Sequence, residues 1–546
     1  FVQLPVYIAF SDSQDATLEP MYTTQGGELL ESEYRQRWNH GGMWLQASVA
    51  NNSNGGLSGH ENSWYSSLFG SGRIGLGSGW TLGFDAQLTS NDTYLKRYSL
   101  SNADRLVSDL FVSHEIGRSR FAITGYYFQG LRATDNTSII PLALPIVEYT
   151  YIPLHDWLGG QFRFDLNGAS INRNIGPDAD RATAEMRWRF PFVTEDGQLL
   201  TFQADARGDV YRIDNNSLAI DPTVPTKTKY IERGLPYLAL DWRWPFLGAG
   251  RSGKSFVVEP IAQLIAAPYG GNPDGIPNND SASFEFDDNN LLTFDRFPGY
   301  DLVETGPRAN IGLHATAYFP SGSVEALVGQ TFRPKPDPIF DADSGLGDTT
   351  SDMVGLLTVK FPPYFSLAQR VDVDQTSGDL RRNEVYISGV YGHSSLQVSY
   401  VRLPPQPGTL GLDTREEIQA EAVLGVIDHW QLYAAGQRDI EADKMIESDF
   451  GIAYSDECLG ISLYYRRQFT RDRAGAEQVV QAQADAGRSA QVVERLGVVH
   501  VDQGQAGVEL LHADLEHAHH MKTSHARDAA HRRGTHFLHD HGHPVA

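Results

Sequence analysis

Apolar and polar residues alternate along most of this chain, in short segments that are separated by Gly, Asn, Asp and Pro. In the segment 200–210, Leu, Phe, Ala and Val occupy one set of positions, and Thr, Gln, Asp and Arg occupy the other. The segments 80–88, 162–167, 186–190 and 238–244 repeat the pattern. A period of two residues is typical of β-strands with one apolar and one polar face. The sequence from residue 1 to about residue 473 therefore predicts an all-β fold.

The length and uniformity of this pattern favour one large antiparallel sheet, although a soluble β-sandwich alternates in the same way. At ~18 to 20 residues for a strand and its connection, we expect about 24 to 26 strands. An open sheet of that size exposes long edges, whereas closure removes them. Strongly charged residues at alternate positions are tolerated only where that face lines water. We therefore expect a large transmembrane outer-membrane β-barrel with a polar lumen.

Composition argues against several other classes of protein. The chain has 546 residues, with 44 Lys+Arg against 68 Asp+Glu, a net charge of −24 and one Cys. A nucleic-acid binder, a disulfide scaffold and a collagen-like chain each need a composition that is absent here. The longest strongly apolar run, 139–147, is too short for a spanning helix and contains two prolines. Because Phe1 is not an initiator Met, we expect any secretion signal to have been removed or to lie upstream.

The segment 474–546 differs from the rest of the chain. It contains one aromatic residue, Phe537, and eleven of the 18 His residues. We place a domain boundary at about residue 473 and expect a poorly ordered His-, Ala- and Gln-rich tail, or the product of a shifted reading frame. Neighbouring His residues such as His517 and His519 could bind zinc, nickel or copper. Because no well-spaced set of Cys or carboxylate ligands accompanies them, we expect no metal site there.

A strongly acidic segment, 272–301, includes Asp287, Asp288 and Asp295. Its oxygen ligands could hold a divalent cation, but their spacing does not match a calcium-binding loop. We expect a solvated loop without a metal. Patterns for a nucleophile elbow, a phosphate loop or a zinc protease are absent from the sequence, so we expect no catalytic residue and no cofactor.

Two blocks of the sequence resemble a known family. The first is LPVYIAFSDSQDATLEPMYT, followed by GELLESEYRQRW, and the second is NNLLTFDRFPGYDLVETGPRANIGL, which VVEPIAQL precedes. Both are similar to the barrel portion of the LptD family of LPS-assembly proteins, also called organic solvent tolerance or OstA proteins. The residues that carry the resemblance are Pro5, Asp15, Ala16, Thr17, Pro20, Tyr34 and Arg35 in the first block, and Asp295, Arg296, Phe297, Gly299, Asp301, Glu304, Arg308 and Asn310 in the second.

The resemblance implies a barrel of 26 strands in the outer membrane of a Gram-negative cell, preceded by a periplasmic β-jellyroll that is missing here. A lipoprotein of the LptE type would plug the barrel, and a periplasmic bridge would supply lipopolysaccharide. The sugars would cross the lumen and leave through a lateral gate between the first and last strands, while the acyl chains enter the membrane directly. Pro5 and Pro20 match the gate prolines of the family. Because proline cannot donate to a β-ladder, each would weaken the seam.

The end of the chain departs from the family pattern. Cys458 aligns with family thiols that form disulfides with the N-terminal domain, so the resemblance implies a partner upstream of Phe1. A last apolar and aromatic strand, of the kind read by the barrel-assembly machinery, should follow the segment RRQFTRDR, but the tail begins instead. Two other functions remain open: a general or substrate-specific outer-membrane diffusion channel, and a secreted β-sandwich enzyme acting on carbohydrate.

Overall fold

A computed structural model of the chain describes most of the region up to residue 468 and one later strand. The described residues are 2–23, 27–52, 63–98, 100–101, 103–132, 135–214, 228–250, 252–281, 285–341, 344–404, 414–456, 460–468 and 479–487. The described part contains one short helix, α1 (Tyr94–Arg97). No helix within it is long and apolar enough to cross a membrane.

All other regular elements are β-strands, as the alternating pattern predicts. They are β1 (Val2–Gln3), β2 (Val6–Ser11), β3 (Gln14–Thr23), β4 (Gly27–Trp38), β5 (Gly41–Asn52), β6 (Ser63–Gly77), β7 (Trp80–Thr89), β8 (Arg105–Ile116), β9 (Ser119–Gly130), β10 (Leu142–Tyr151), β11 (Gln161–Asn172), β12 (Asp178–Val193), β13 (Leu199–Asp214), β14 (Thr228–Arg243), β15 (Phe246–Ala249), β16 (Ser255–Ala266), β17 (Arg308–Phe319), β18 (Gly322–Phe332), β19 (Met353–Phe361), β20 (Phe365–Val373), β21 (Leu380–Tyr391), β22 (Ser394–Leu403), β23 (Arg415–Ile427), β24 (Trp430–Asp439), β25 (Lys444–Ser455), β26 (Gly460–Gln468) and β27 (Val479–Gly487).

These strands form a single antiparallel sheet in which nearly all strands pair with their neighbours in the sequence. β1 and β2 both pair with β3, and β14 and β15 both pair with β16, so each of these two pairs is one interrupted strand. The sheet therefore has about 25 strand positions. This confirms the prediction of an all-β fold with one large antiparallel sheet.

The connections between strands differ at the two ends of the sheet. At one end, the short-turn end, they are mostly tight, as at 39–40, 78–79 and 320–321. The other end, the long-loop end, carries the connections 90–104 and 267–307 among others. We call 267–307 the lumenal loop, because its side chains contact strands from β12 to β21. One loop can reach so many strands only if the sheet curls around it.

The two faces of the sheet are inverted relative to those of a soluble protein. In β13, Asp205 and Asp209 are only 6% and 2% exposed, whereas Phe202 and Val210 are 42% and 50% exposed. Leu238 of the adjacent β14 is 62% exposed. A soluble sandwich would bury the apolar set instead, and a large exposed apolar surface marks contact with a membrane or a partner. The alternation is confirmed, and the soluble sandwich enzyme is excluded.

Two of the buried apolar clusters lie between the inner face and the long loops. One cluster joins Tyr94 and Leu95 of the connection 90–104 to Leu29 of β4 and Tyr65 of β6. A second joins the lumenal loop to the connection 333–352, through side chains such as Leu291. The core is therefore concentrated at the long-loop end.

Two predictions about the end of the chain fall largely outside the described residues. Cys458 lies outside them, as does most of the segment 474–546. β27 belongs to that segment and pairs with β26 along its whole length. The division of the chain at about residue 473 stays a prediction.

Candidate functional site

The lumenal loop is fastened to the inner face by buried ion pairs. Arg181 of β12 places its Nη1 atom 2.7 Å from Asp280 Oδ2 and 2.6 Å from Asp301 Oδ1. Arg233 of β14 donates from Nη1 to the backbone carbonyl of Asp301 at 2.9 Å. The charged side chains of these strands therefore bind the lumenal loop in addition to lining the lumen.

The backbone carbonyl of Tyr300 lies at the centre of this contact. It accepts hydrogen bonds from Arg233 Nη2 at 2.6 Å, from Tyr211 Oη at 3.1 Å and from Arg207. The guanidinium groups of Arg181 and Arg207 lie 4.9 and 5.2 Å from the centroid of the Tyr300 ring. Cation–π contacts of this kind strengthen when water is excluded. The guanidinium groups of Arg181 and Arg207 thus hold the Tyr300 ring against the strands.

A second buried cluster surrounds Glu304, and we call it the Glu304 cluster. Arg296 and Arg333 both pair with Glu304 Oε1, and Arg308 Nε lies 3.3 Å from the same oxygen. Arg296 also donates from Nη2 to Asn310 Oδ1 at 2.9 Å. The side chains of Glu304, Arg296 and Arg308 are fully buried. One carboxylate therefore joins the lumenal loop to β17 and to the residue that follows β18.

The charges of the loop are set by the balance between burial and pairing. Burial alone would raise the pKa of Glu304, but Arg296, Arg308 and Arg333 outweigh it and hold that pKa below its ordinary value. Burial lowers the pKa of Arg296 to about 10 despite its contact with Glu304. Burial would also raise the pKa of Asp280, but the positive charge of Arg181 outweighs this effect and holds that pKa below its ordinary value. Glu304 and Asp280 are therefore ionised at neutral pH.

Two further residues of the second block shape the loop itself. Asp295 Oδ1 accepts the backbone N–H groups of Phe297 at 3.1 Å and of Glu304 at 3.2 Å. The Phe297 ring stacks on Phe340, with 5.3 Å between centroids and 5° between planes. Phe340 belongs to the connection 333–352, so this contact ties the two long connections together.

Gly299 allows the closest approach within the loop. A side-chain carbon at this position would overlap the Asp280 carboxylate. That carboxylate accepts the backbone N–H groups of Tyr300 at 3.1 Å and of Asp301 at 3.0 Å through Oδ1. Glycine is therefore required by space rather than by its backbone angles.

The expectation that 272–301 is a solvated loop is wrong. Asp301 and Asp288 are only 2% and 8% exposed. Asp288 Oδ1 lies 3.1 Å from Arg370 Nε of β20. A buried carboxylate needs a cation or hydrogen-bond donors, and the strand arginines supply them. Across the described residues, no three His, Cys, Asp or Glu side chains lie close enough together to hold a metal ion.

The residues of the first block meet across the pair β3 and β4. Asp15 lies directly opposite Arg35, and Ala16 lies opposite Tyr34. Arg35 donates from Nε to Asp15 Oδ1 at 2.7 Å, with the two side chains 51% and 24% exposed. Thr17 follows opposite Glu33. These contacts are local to the first strands, and such exposed pairs contribute little to stability.

Pro5 and Pro20 lie at one interruption of the first ladder. β1 and β2 pair with β3 on either side of residues 4 and 5, and the register places Pro20 opposite Leu4. The Leu4 N–H donates to the Pro20 carbonyl at 3.2 Å. The return hydrogen bond cannot form because Pro20 has no N–H.

Sequence reasoning missed the strand residues that receive the lumenal loop. These are chiefly Arg181, Arg207, Tyr211, Arg233 and Arg333. The sequence did contain a signal for them, because arginines alternate with apolar residues in β12 to β14. The sequence reading assigned such residues only to the lining of a water-filled lumen.

A smaller site fastens the connection 90–104 by neutral groups. Tyr94 is fully buried, and its Oη lies 2.7 Å from Ser48 Oγ. Ser48 Oγ in turn lies 2.6 Å from Ser67 Oγ. Nothing in the sequence pattern singled out these residues, because a hydroxyl on a strand resembles any other polar position.

Comparison with known sequences supports the resemblance. The family model described as LptD, LPS transport system D, matches residues 61–422, which include the whole lumenal loop. The LPS-assembly protein LptD of Acinetobacter baumannii is 22% identical over 497 residues, which cover 86% of this chain and 58% of the relative. The protein of the same name from Escherichia coli K12 is 22% identical over 506 residues, covering 85% and 63%. The chain thus spans about three fifths of the length of these curated relatives.

Comparison with solved structures adds no further argument. The ferric-catecholate import receptor Fiu of Escherichia coli K12 matches 89% of this chain and 78% of its own, at 8% identity and a TM-score of 0.27. That score is too low to support an inference. The family model covers more than half of the chain, and this chain therefore belongs to the LptD family of LPS transport proteins.

Proposed function

We propose that the chain forms the wall of a translocon that assembles lipopolysaccharide into the outer leaflet of the outer membrane. Members of the family are outer-membrane transport proteins without enzymatic activity. The observation that carries the proposal is the inversion of the two faces in a sheet of this family. A polar inner face suits the sugars of lipopolysaccharide, and an apolar outer face suits its acyl chains and the other membrane lipids.

The ends of the sheet give the orientation of the proposed translocon. Outer-membrane barrels have short turns in the periplasm and longer loops outside the cell. The long-loop end would therefore face outward, and the lumenal loop would enter from outside. Since ion pairs hold this loop against β12 to β21, we propose that the sugars pass along the other part of the wall, nearer β1 and β27.

The proposed exit is a lateral gate at the edge formed by β1 and β2. Successive residues of an antiparallel strand direct their backbone N–H and C=O groups to opposite edges of that strand. The Leu4 N–H donates toward β3, so the nitrogen of Pro5 is directed to the opposite edge. The nitrogen of Pro20 is directed toward Leu4. The two prolines would remove one hydrogen bond on each side of the first strand, at about 1 kcal/mol for each bond. In the described residues, β2 pairs with β3 alone and β27 with β26 alone.

The partners follow from the family rather than from contacts in this chain. We propose a plug lipoprotein of the LptE type, a periplasmic bridge that delivers lipopolysaccharide through an upstream jellyroll, and assembly by the barrel-assembly machinery. Cys458 would form a disulfide with that upstream domain. No cofactor is proposed.

Photocrosslinking in cells tests the translocon. A photoreactive residue would replace Tyr7, which lies on β2 and is 61% exposed, in the full-length protein. The matched control is Leu396 of β22, which is 48% exposed. We expect lipopolysaccharide adducts at position 7 well above those at position 396. Equal yields at both positions of a folded barrel would contradict a gate at the first strand.

The alternative is a general or substrate-specific diffusion channel, which the polar inner wall would also suit. Steady ion conductance of the purified protein without any lipoprotein would favour it. The buried attachment of the lumenal loop argues against it, since the loop occupies space inside the wall.

A further inference from the structure

A large apolar groove lies on the outer face of the sheet, across β12 to β18. Its volume is about 720 Å³. Exposed apolar side chains border it, among them Phe202, Leu238 and Leu264, which are 42%, 62% and 56% exposed. The proposed gate lies at β1 and β2, so this groove belongs to a different part of the wall.

The groove arises where alanines lie opposite leucines on neighbouring strands. Ala204 of β13 lies opposite Leu238, which lies opposite Ala266 of β16. Two residues before Ala266 in β16, Leu264 lies opposite Ala309 of β17. The alanines leave a depression between the larger side chains, whereas a row of leucines would fill it. The depression is therefore built into the sequence of four strands.

An exposed positive charge directly follows one of the lining residues of the groove in the sequence. Pro334 lines the groove just beyond β18, at the long-loop end, and Lys335 follows it. Lys335 is exposed, and its ammonium group lies 5.3 Å from the centroid of the Tyr269 ring. Among the described residues, no carboxylate pairs with this lysine. An apolar groove with an exposed lysine next to one of its lining residues is complementary to an acyl chain attached to a phosphorylated headgroup.

We propose that this groove binds an acylated, phosphorylated glycolipid of the outer leaflet, with one acyl chain along the alanines and a phosphate at Lys335. The outer face of an outer-membrane protein is surrounded by such lipids, so the occupant is supplied by the membrane itself. The acyl chain of a membrane lipid is already in hydrocarbon, so van der Waals packing in the groove would hold it, and the lysine would attract the phosphate of its headgroup. The site would hold one lipid in place on the wall away from the gate.

Photocrosslinking at the groove tests this proposal in the full-length protein in cells. A photoreactive residue replaces Leu264, and the control position is Leu166, an outward leucine of β11 that is 51% exposed and does not line the groove. We expect adducts of the phosphorylated glycolipid at position 264 several-fold above those at position 166. Equal yields, or adducts mainly of glycerophospholipid, would overturn the proposal.

Variants of the groove separate specific binding from ordinary lipid contact. Ala266→Trp fills the depression and should reduce the yield at position 264 to that at position 166, while Ala266→Gly leaves it open and should keep the yield. Ala309→Phe serves the same purpose if the first variant does not fold. Lys335→Glu should lower the yield of phosphorylated adducts. A folded Ala266→Trp protein with an unchanged yield would refute the site, and adducts at position 7 report separately on the translocon.

Discussion

Arg181 of β12 and Asp301 of the lumenal loop form an ion pair of 2.6 Å, although 120 residues separate them in the sequence. Their side chains are only 6% and 2% exposed. A buried pair of this kind contributes little net energy when both partners are present, but removal of one leaves an unpaired buried charge. The contact therefore acts as a latch that keeps the loop against the wall.

Asp301→Asn should release this latch. We expect the lumenal loop to become accessible to protease added from outside and the ion conductance of the purified protein to rise. The loss of stability should be smaller than the ~3 to 5 kcal/mol expected for a fully unpaired buried charge, because Arg181 keeps Asp280 as a partner at 2.7 Å. Asp180→Asn is the control, since Asp180 pairs with Arg212 at 3.3 Å and both side chains are 49% exposed. If both variants resist protease like the parent protein, the latch does not exist.

Glu304→Gln should destabilise the protein strongly at neutral pH. Three arginines would then face one another without the carboxylate that joins them, so the free energy of unfolding should fall by about 3 to 5 kcal/mol. Denaturant unfolding in lipid vesicles measures the change. Glu325→Gln removes a carboxylate that is 41% exposed and pairs with His314, and it should cost less than about 1 kcal/mol. Similar losses in the two variants would contradict the role of burial.

The stabilisation by Glu304 should depend on pH in a defined direction. Its pKa in the folded protein lies below the ordinary value of 4.5. A carboxylate with a lowered pKa stabilises the folded state above the unfolded pKa, and this contribution is lost as the pH falls through the folded pKa. The difference in unfolding free energy between the parent protein and Glu304→Gln should be constant from about pH 6 to pH 8 and should shrink below pH 4.5. A difference that grows with acidification would reverse the assigned sign.

Gly299→Ala should be much more harmful than alanine at another strand or loop glycine. The new methyl group would overlap the Asp280 carboxylate, which must then give up backbone hydrogen bonds. We expect a loss of about 1 to 3 kcal/mol from overpacking. Gly208→Ala is the matched control, because a side-chain carbon there meets no atom within 4 Å. The denaturant midpoints of unfolding measure the loss of stability in each variant. Equal midpoints would count against the close packing of the loop at Gly299.

Pro20→Ala should strengthen the first ladder. The new N–H can donate to the Leu4 carbonyl and complete a pair that now forms one hydrogen bond, which adds about 1 kcal/mol. Amide exchange in β1 to β3 should slow, and delivery of lipopolysaccharide to the cell surface should fall. Pro153→Ala, in a connection outside the ladder, should change neither. Slower exchange with normal delivery would separate the stability of this pair from the proposed gate.

Local periodicity was sufficient to predict the strands and the nature of their two faces. Residues 200–210 alternate in sequence and lie in β13 with Asp205 and Asp209 on one face and Phe202 on the other. A two-residue period follows directly from the geometry of an extended backbone, so no distant contact is needed to read it. The resemblance of residues 290–312 to a family likewise needed only the order of the residues.

The three-dimensional structure decided what the inner-face residues and the signature residues contact. The sequence predicted a polar inner face, but only the curling of the sheet around the lumenal loop brings Arg207 to the backbone carbonyl of Tyr300. Glu304 and Arg333 are 29 residues apart, and their pairing depends on how β17 and β18 meet the loop. An acidic loop resembles any solvated loop until the cations that neutralise it are known. Those cations come from distant strands, and that is why only the folded chain shows that the segment is buried.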